Sequence, residues 1–142
     1  MPTRPDHKPA SRSRLVPRAL AAMLVLSVAV GCGDKKDSEA SYIQRGRELA
    51  DKGDIAGADI LLRNALQINP KSAEAMYLLA ANAEKRGDPR AAYQLYLRVT
   101  EEQPSHVGAQ AKVGQIYAAG GDLTRAREQL DKAVALDPEN LQ

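Results

Sequence analysis

An all-α solenoid of three stacked helix-turn-helix repeats is the fold this sequence predicts, and three observations point to it. The pair Gly-Asp recurs at Gly53-Asp54, Gly87-Asp88 and Gly121-Asp122, with 34 residues between successive pairs. Proline recurs at Pro70, Pro104 and Pro138 with the same interval. Aromatic residues are limited to five tyrosines, with no Phe or Trp, so the core must be aliphatic and alanine-rich. That composition suits closely packed helices better than a sandwich of sheets. Two markers that share one period through three cycles indicate an internal repeat.

The first element is a leader, residues 1–31. It carries Arg4, Lys8, Arg12, Arg14 and Arg18 against one acid, Asp6, and continues into the uncharged run "ALAAMLVLSVAV", residues 19–30. As a helix that run would reach roughly 18 Å, short of the ~30 Å hydrocarbon core of a bilayer. A basic stretch, an apolar stretch and then small residues make a secretory signal peptide. Arg12 and Arg14 are separated by Ser13, so no twin-arginine signal is present. The junction Ala29-Val30-Gly31-Cys32 contains the only cysteine of the chain, which therefore has no disulfide partner. This junction resembles a bacterial lipobox, with Ala29 where that motif usually has Leu. The resemblance implies cleavage before Cys32, lipidation of its sulfur and a stable membrane anchor, since two or three acyl chains hold where one binds marginally. The alternative is an ordinary signal-peptidase site and a soluble secreted protein.

Residues 32–40 are short, charged and small, and read as a tether. Gly33, rather than Asp, follows the cysteine. By resemblance to the lipoprotein sorting rule this favours the outer over the inner membrane, with the body facing the periplasm. Residues 32–142 hold 15 Lys+Arg against 17 Asp+Glu, without a basic cluster, which argues against nucleic acid as a partner.

The repeats follow as 41–72, 73–106 and 107–140. First helices are expected over 41–52, 74–86 and 107–119, and second helices over 55–68, 89–102 and 123–136. Glycine ends each first helix in a left-handed conformation and aspartate caps the second. Pro89 suits the first helical position of the middle second helix, where no N–H bond is required. The late prolines end the second helices, and Ser72 and Ser105 are expected to cap the next first helices. Gly46, Ala80 and Gly114 form one column of small residues; Ala58, Ala92 and Ala126 form another. Leu62, Tyr96 and Leu130 fill the adjoining column.

Together, the period and these columns resemble the tetratricopeptide repeat family over residues 39–140, with Ala80 and Ala83 departing from the usual Gly and Tyr and no consensus Trp. The resemblance implies a right-handed superhelix whose first helices line a groove for a protein or peptide segment. Groove-facing residues would be Ile43, Gln44 and Arg47, then Tyr77, Leu78 and Ala81, then Ala111, Lys112 and Gln115. An apolar middle flanked by Arg47 and Lys112 suits a segment with some negative charge, and Tyr77 is the expected aromatic anchor. Arg47 and Leu78 stand where the chaperone-binding members carry asparagines, so that carboxylate clamp is absent.

No catalytic constellation, phosphate loop or metal-ligand cluster is legible, and neither an enzyme nor a cofactor is expected. Arg86-Gly87-Asp88 falls on the repeated turn, and His106 follows a proline between repeats. Stretches such as "LLRNALQINPKSAEA" are similar to lipoproteins associated with PEP-CTERM/exosortase and exopolysaccharide export. Lipoproteins of pilus or outer-membrane assembly, or a non-catalytic part of a larger enzyme complex, are the alternatives. "LDPENLQ" has the phase of a repeat boundary, so residues 141–142 read as the start of a further capping helix or repeat. Without one, helix 123–136 would expose Leu130 and Val134 and could self-associate.

Overall fold

The computed structural model describes residues 38–139. Six helices follow in order: α1 (Glu39–Asp51), α2 (Ile55–Ile68), α3 (Ala73–Lys85), α4 (Pro89–Glu102), α5 (Val107–Ala119) and α6 (Leu123–Leu136). The second helices have the expected bounds. Helix α1 starts two residues before position 41 because Ser38 accepts from the Ser41 N–H and Glu39 enters the first turn. The last two residues assigned to the tether are therefore helical. The leader, Cys32 and residues 140–142 lie outside the described residues.

Each turn within a repeat uses one device. Gly53, Gly87 and Gly121 have φ of 86°, 74° and 82°, a region costly for any residue with a β-carbon. At the first turn Gly53 donates to the Ala50 carbonyl at 3.1 Å and Asp54 to the Leu49 carbonyl at 2.9 Å. The same pair of bonds recurs at Gly87-Asp88 and Gly121-Asp122. This Schellman arrangement satisfies carbonyls that the helix end leaves free. The aspartate then turns donor accounting around at the next helix, its carboxylate accepting from Gly57, Ala91 and Arg125 N–H in the three repeats.

Between repeats, Asn69, Gln103 and Asp137 are extended, with φ of −129°, −136° and −149°, as the following prolines require. Ser72 caps α3 through the Ala75 N–H. Ser105 does not cap α5. The neighbouring His106 does so, its Nδ1 accepting from the Ala109 N–H at 3.1 Å. Imidazole offers an acceptor at the reach a cap needs, and its ring also lies against Tyr77, centroids 4.6 Å apart.

The core follows the columns of small residues. A β-carbon on Gly46 would lie 3.0 Å from Leu62 Cγ, and one on Gly114 would lie 2.8 Å from Leu130 Cγ. The helices of each repeat thus approach through glycine and leucine, and Leu130 is half-buried rather than exposed. In the middle repeat Ala80 and Tyr96 replace that pair, both fully buried with Ala83, Ala92 and Val113.

Junctions between repeats differ in chemistry. At the first, the largely buried Asp59 of α2 accepts from Asn82 Nδ2 at 2.8 Å and pairs with Arg86. At the second, the residue 34 later is Tyr93, whose hydroxyl donates to that of Tyr117 at 3.0 Å. Donating this bond raises the Tyr93 pKa, while accepting it, with Arg125 alongside, lowers that of Tyr117.

Candidate partner-binding groove

The first helices are joined to one another by ion pairs. Arg47 of α1 meets Glu74 of α3, and Lys112 of α5 meets Glu84 of α3 at 2.8 Å. Helix α1 also touches α3 directly. Ile43, Gln44 and Arg47 come together with Ala40 and Glu74 around a depression of about 390 Å³ between α1 and α3. Gln44 and Arg47 are exposed and Ile43 is half-buried, so their side chains are open to a partner.

Along α3 and α5 the remaining candidates do not line that depression. Leu78, Ala81 and Lys112 are half-buried and Gln115 is exposed. Ala111 is buried, only 8% exposed, because its single methyl does not reach past its longer neighbours. It can form floor but not a gripping contact. Tyr77 is half-buried in a joint of three helices. Its ring centroid lies 5.4 Å from that of Tyr96 of α4 and close to that of His106, and its hydroxyl occupies the space a β-carbon on Gly108 would need. Its contacts are thus first of all between repeats.

The charge balance differs from that expected of Arg47 and Lys112 alone, since each cation faces a carboxylate of the neighbouring first helix. Glu74 and Glu84 are therefore part of the groove wall. Arg47 precedes Glu74 by 27 residues and Glu84 precedes Lys112 by 28. Opposite charges on successive first helices, spaced about two helical turns short of the period, were the available signal. Deeper in, the Tyr96 hydroxyl is buried without a hydrogen-bond partner among the described residues. Burial, and then the nearby Glu84 carboxylate, push its pKa up.

Two models of the tetratricopeptide repeat match, one over residues 39–72 and one over 80–140. The chain belongs to the tetratricopeptide repeat family. Among curated relatives it is 28% identical over 111 residues to cellulose synthase operon protein C of Pseudomonas fluorescens, covering 76% of this chain and 9% of that protein. It is 35% identical over 105 residues to the FK506-binding protein-like protein of Rattus norvegicus, covering 68% of this chain and 30% of that one. The chain thus spans less than a third of either relative. Among solved structures, YrrB, described as a tetratricopeptide protein with an unusual peptide-binding site, superposes with a TM-score of 0.61 at 25% identity, over 73% of this chain and 54% of that one. The second tetratricopeptide domain of Spaghetti, solved with an HSP90 peptide, gives 0.64 at 17% identity, over 72% and 95%. Tetratricopeptide domains are protein-interaction scaffolds, and this chain has their all-helical solenoid.

Proposed function

We propose that this chain is a non-catalytic scaffold, tethered to the bacterial envelope through Cys32, whose first-helix groove takes a segment of a partner protein. The observation that carries the reading is the shared depression of Ile43, Gln44, Arg47 and Glu74, a mixed apolar and charged wall of the kind that receives a peptide. The peptide-binding site named for YrrB is in keeping with it. Arg47→Glu and Ile43→Lys should each lose the partner in a pull-down while helical circular dichroism is unchanged. Retention by both variants rejects the groove. The lipobox-like junction supports the anchor: Cys32→Ala should abolish palmitate labelling and release the protein from membranes, and unchanged partition rejects it. Fractionation of the envelope then tests the outer membrane against the inner.

Export of exopolysaccharide or PEP-CTERM proteins is the process this scaffold would serve, with pilus or outer-membrane assembly the alternative. The operon named for the Pseudomonas relative is in keeping with polysaccharide export. A deletion strain that exports polysaccharide normally would exclude that role. The exposure of Val134 and Leu136 on α6, 45% and 44%, favours a second mode, self-association through that helix. Sedimentation that stays monomeric as concentration rises would dismiss it.

A further inference from the structure

The two junctions along the stack are filled differently on the side of the second helices. At the first, Met76 and Val99 are fully buried, with Leu66, Ala73 and Leu95 packed against them. A shift of 34 residues turns Leu66, Met76, Leu95 and Val99 into Thr100, Gln110, Gln129 and Ala133. Each replacement is more polar or smaller, and Thr100, Gln110 and Gln129 fall on one place. There the structure has a cavity of about 440 Å³, lined by Thr100, Pro104, Gln110, Gln129, Lys132 and Leu136.

Gln110 makes this cavity unlike an ordinary packing gap. It is only 5% exposed, and its Nε2 donates to the Pro104 carbonyl at 3.0 Å. That bond fixes the amide's orientation, because only the nitrogen can donate to a carbonyl. Its Oε1 is then buried with no hydrogen-bond partner among the described residues, a state that costs free energy. Thr100 Oγ1 spends its proton on the Leu97 carbonyl, so towards the cavity it can only accept. Lys132, half-exposed, uses one of three protons on Glu128 and keeps donors free. The cavity thus offers buried acceptors, donors on Lys132, and apolar wall from Pro104 and Leu136.

We infer that this cavity is a second binding site, distinct from the first-helix groove, for a peptide segment presenting an amide N–H to Gln110 Oε1 beside an apolar side chain. A peptide group supplies both the missing donor and an acceptor for Lys132. Among the described residues no aromatic ring lines the cavity to stack a sugar, and its volume is many times the ~30 Å³ share of one water.

The test is a titration of the full chain, with the side-chain amides of Gln110 and Gln129 followed by NMR. N-acetylleucinamide should give saturable shifts at both. Gln110→Met, which installs the residue found at position 76, should weaken binding about tenfold or more with helicity intact. Thr100→Leu, matching Leu66, should do the same if Gln110→Met folds poorly. Arg47→Glu and Ile43→Lys should leave the response unchanged, which separates this site from the groove. Absence of saturable shifts, equal binding by both cavity variants, preference for methyl glucoside, or a response seen only after deletion of residues 140–142 would each overturn the inference.

Discussion

At Gly114 a β-carbon would come within 2.8 Å of Leu130 Cγ and 3.2 Å of the Ala126 carbonyl oxygen, while at Gly46 the corresponding distances to Leu62 Cγ and the Ala58 oxygen are 3.0 and 3.4 Å. Alanine gains about 1 kcal/mol of helix propensity over glycine, whereas overpacking costs about 1–3 kcal/mol. Backbone cannot yield as a leucine tip can, so Gly114→Ala should destabilise by about 1–2 kcal/mol and Gly46→Ala by less, read from urea midpoints. Tyr96 offers the opposite case. Its hydroxyl is buried and has no hydrogen-bond partner among the described residues, so Tyr96→Phe should be neutral or stabilising by up to about 1 kcal/mol. A raised tyrosine pKa means that the folded state keeps its proton when the unfolded chain has lost it. This protection of the neutral form costs stability as pH rises above about 10, the ordinary tyrosine value, and Tyr96→Phe should flatten that alkaline loss.

Helix boundaries were legible in the sequence because each is set by a local rule: glycine with positive φ, aspartate as cap, proline restricting its predecessor. The bounds of α5 were read correctly, but its cap escaped that reading, because histidine is a rarer cap than serine. His106→Ala should cost about 1 kcal/mol through the lost cap, and His106→Ser should restore most of it. A thermal melt that ranks the two alike would refute the cap. The start of α6 gives a pH-dependent counterpart. The Asp122 carboxyl is held below its ordinary range by the Arg125 backbone N–H, then by the Arg125 guanidinium. A depressed carboxylate pKa gives stability that is present above the unfolded value, about 3.9, and is lost as pH falls through the folded one. Protection of the amides in the first turn of α6, measured against their intrinsic exchange rates, should therefore fall on acidification below pH 4, and Asp122→Asn, a neutral cap, should remove the dependence.

Across the stack, contacts are nearly all between neighbouring helices, so stability is set repeat by repeat and junction by junction. Periodicity made the columns inside each repeat readable, but what joins repeats breaks the period. Asp59 with Asn82 and Arg86 becomes Tyr93 with Tyr117, and Met76 becomes Gln110, so neither junction announces itself by recurrence. The groove was half-legible for the same reason: Arg47 and Lys112 could be placed on first helices, but their carboxylate partners follow no repeat. Burial is also uneven. Helix α3 buries six residues, α1 only Gly46, and α6 only Ala126 and Ala133. Hydrogen exchange should therefore be slowest in α3 and in α5, which buries five residues, and fastest in α1 and α6. Asp59→Ala, which strands a buried amide and unpairs Arg86, should cost about 1–3 kcal/mol and loosen α1 and α2 selectively. Uniform acceleration over all six helices would show instead that the first junction holds the whole stack in one cooperative unit.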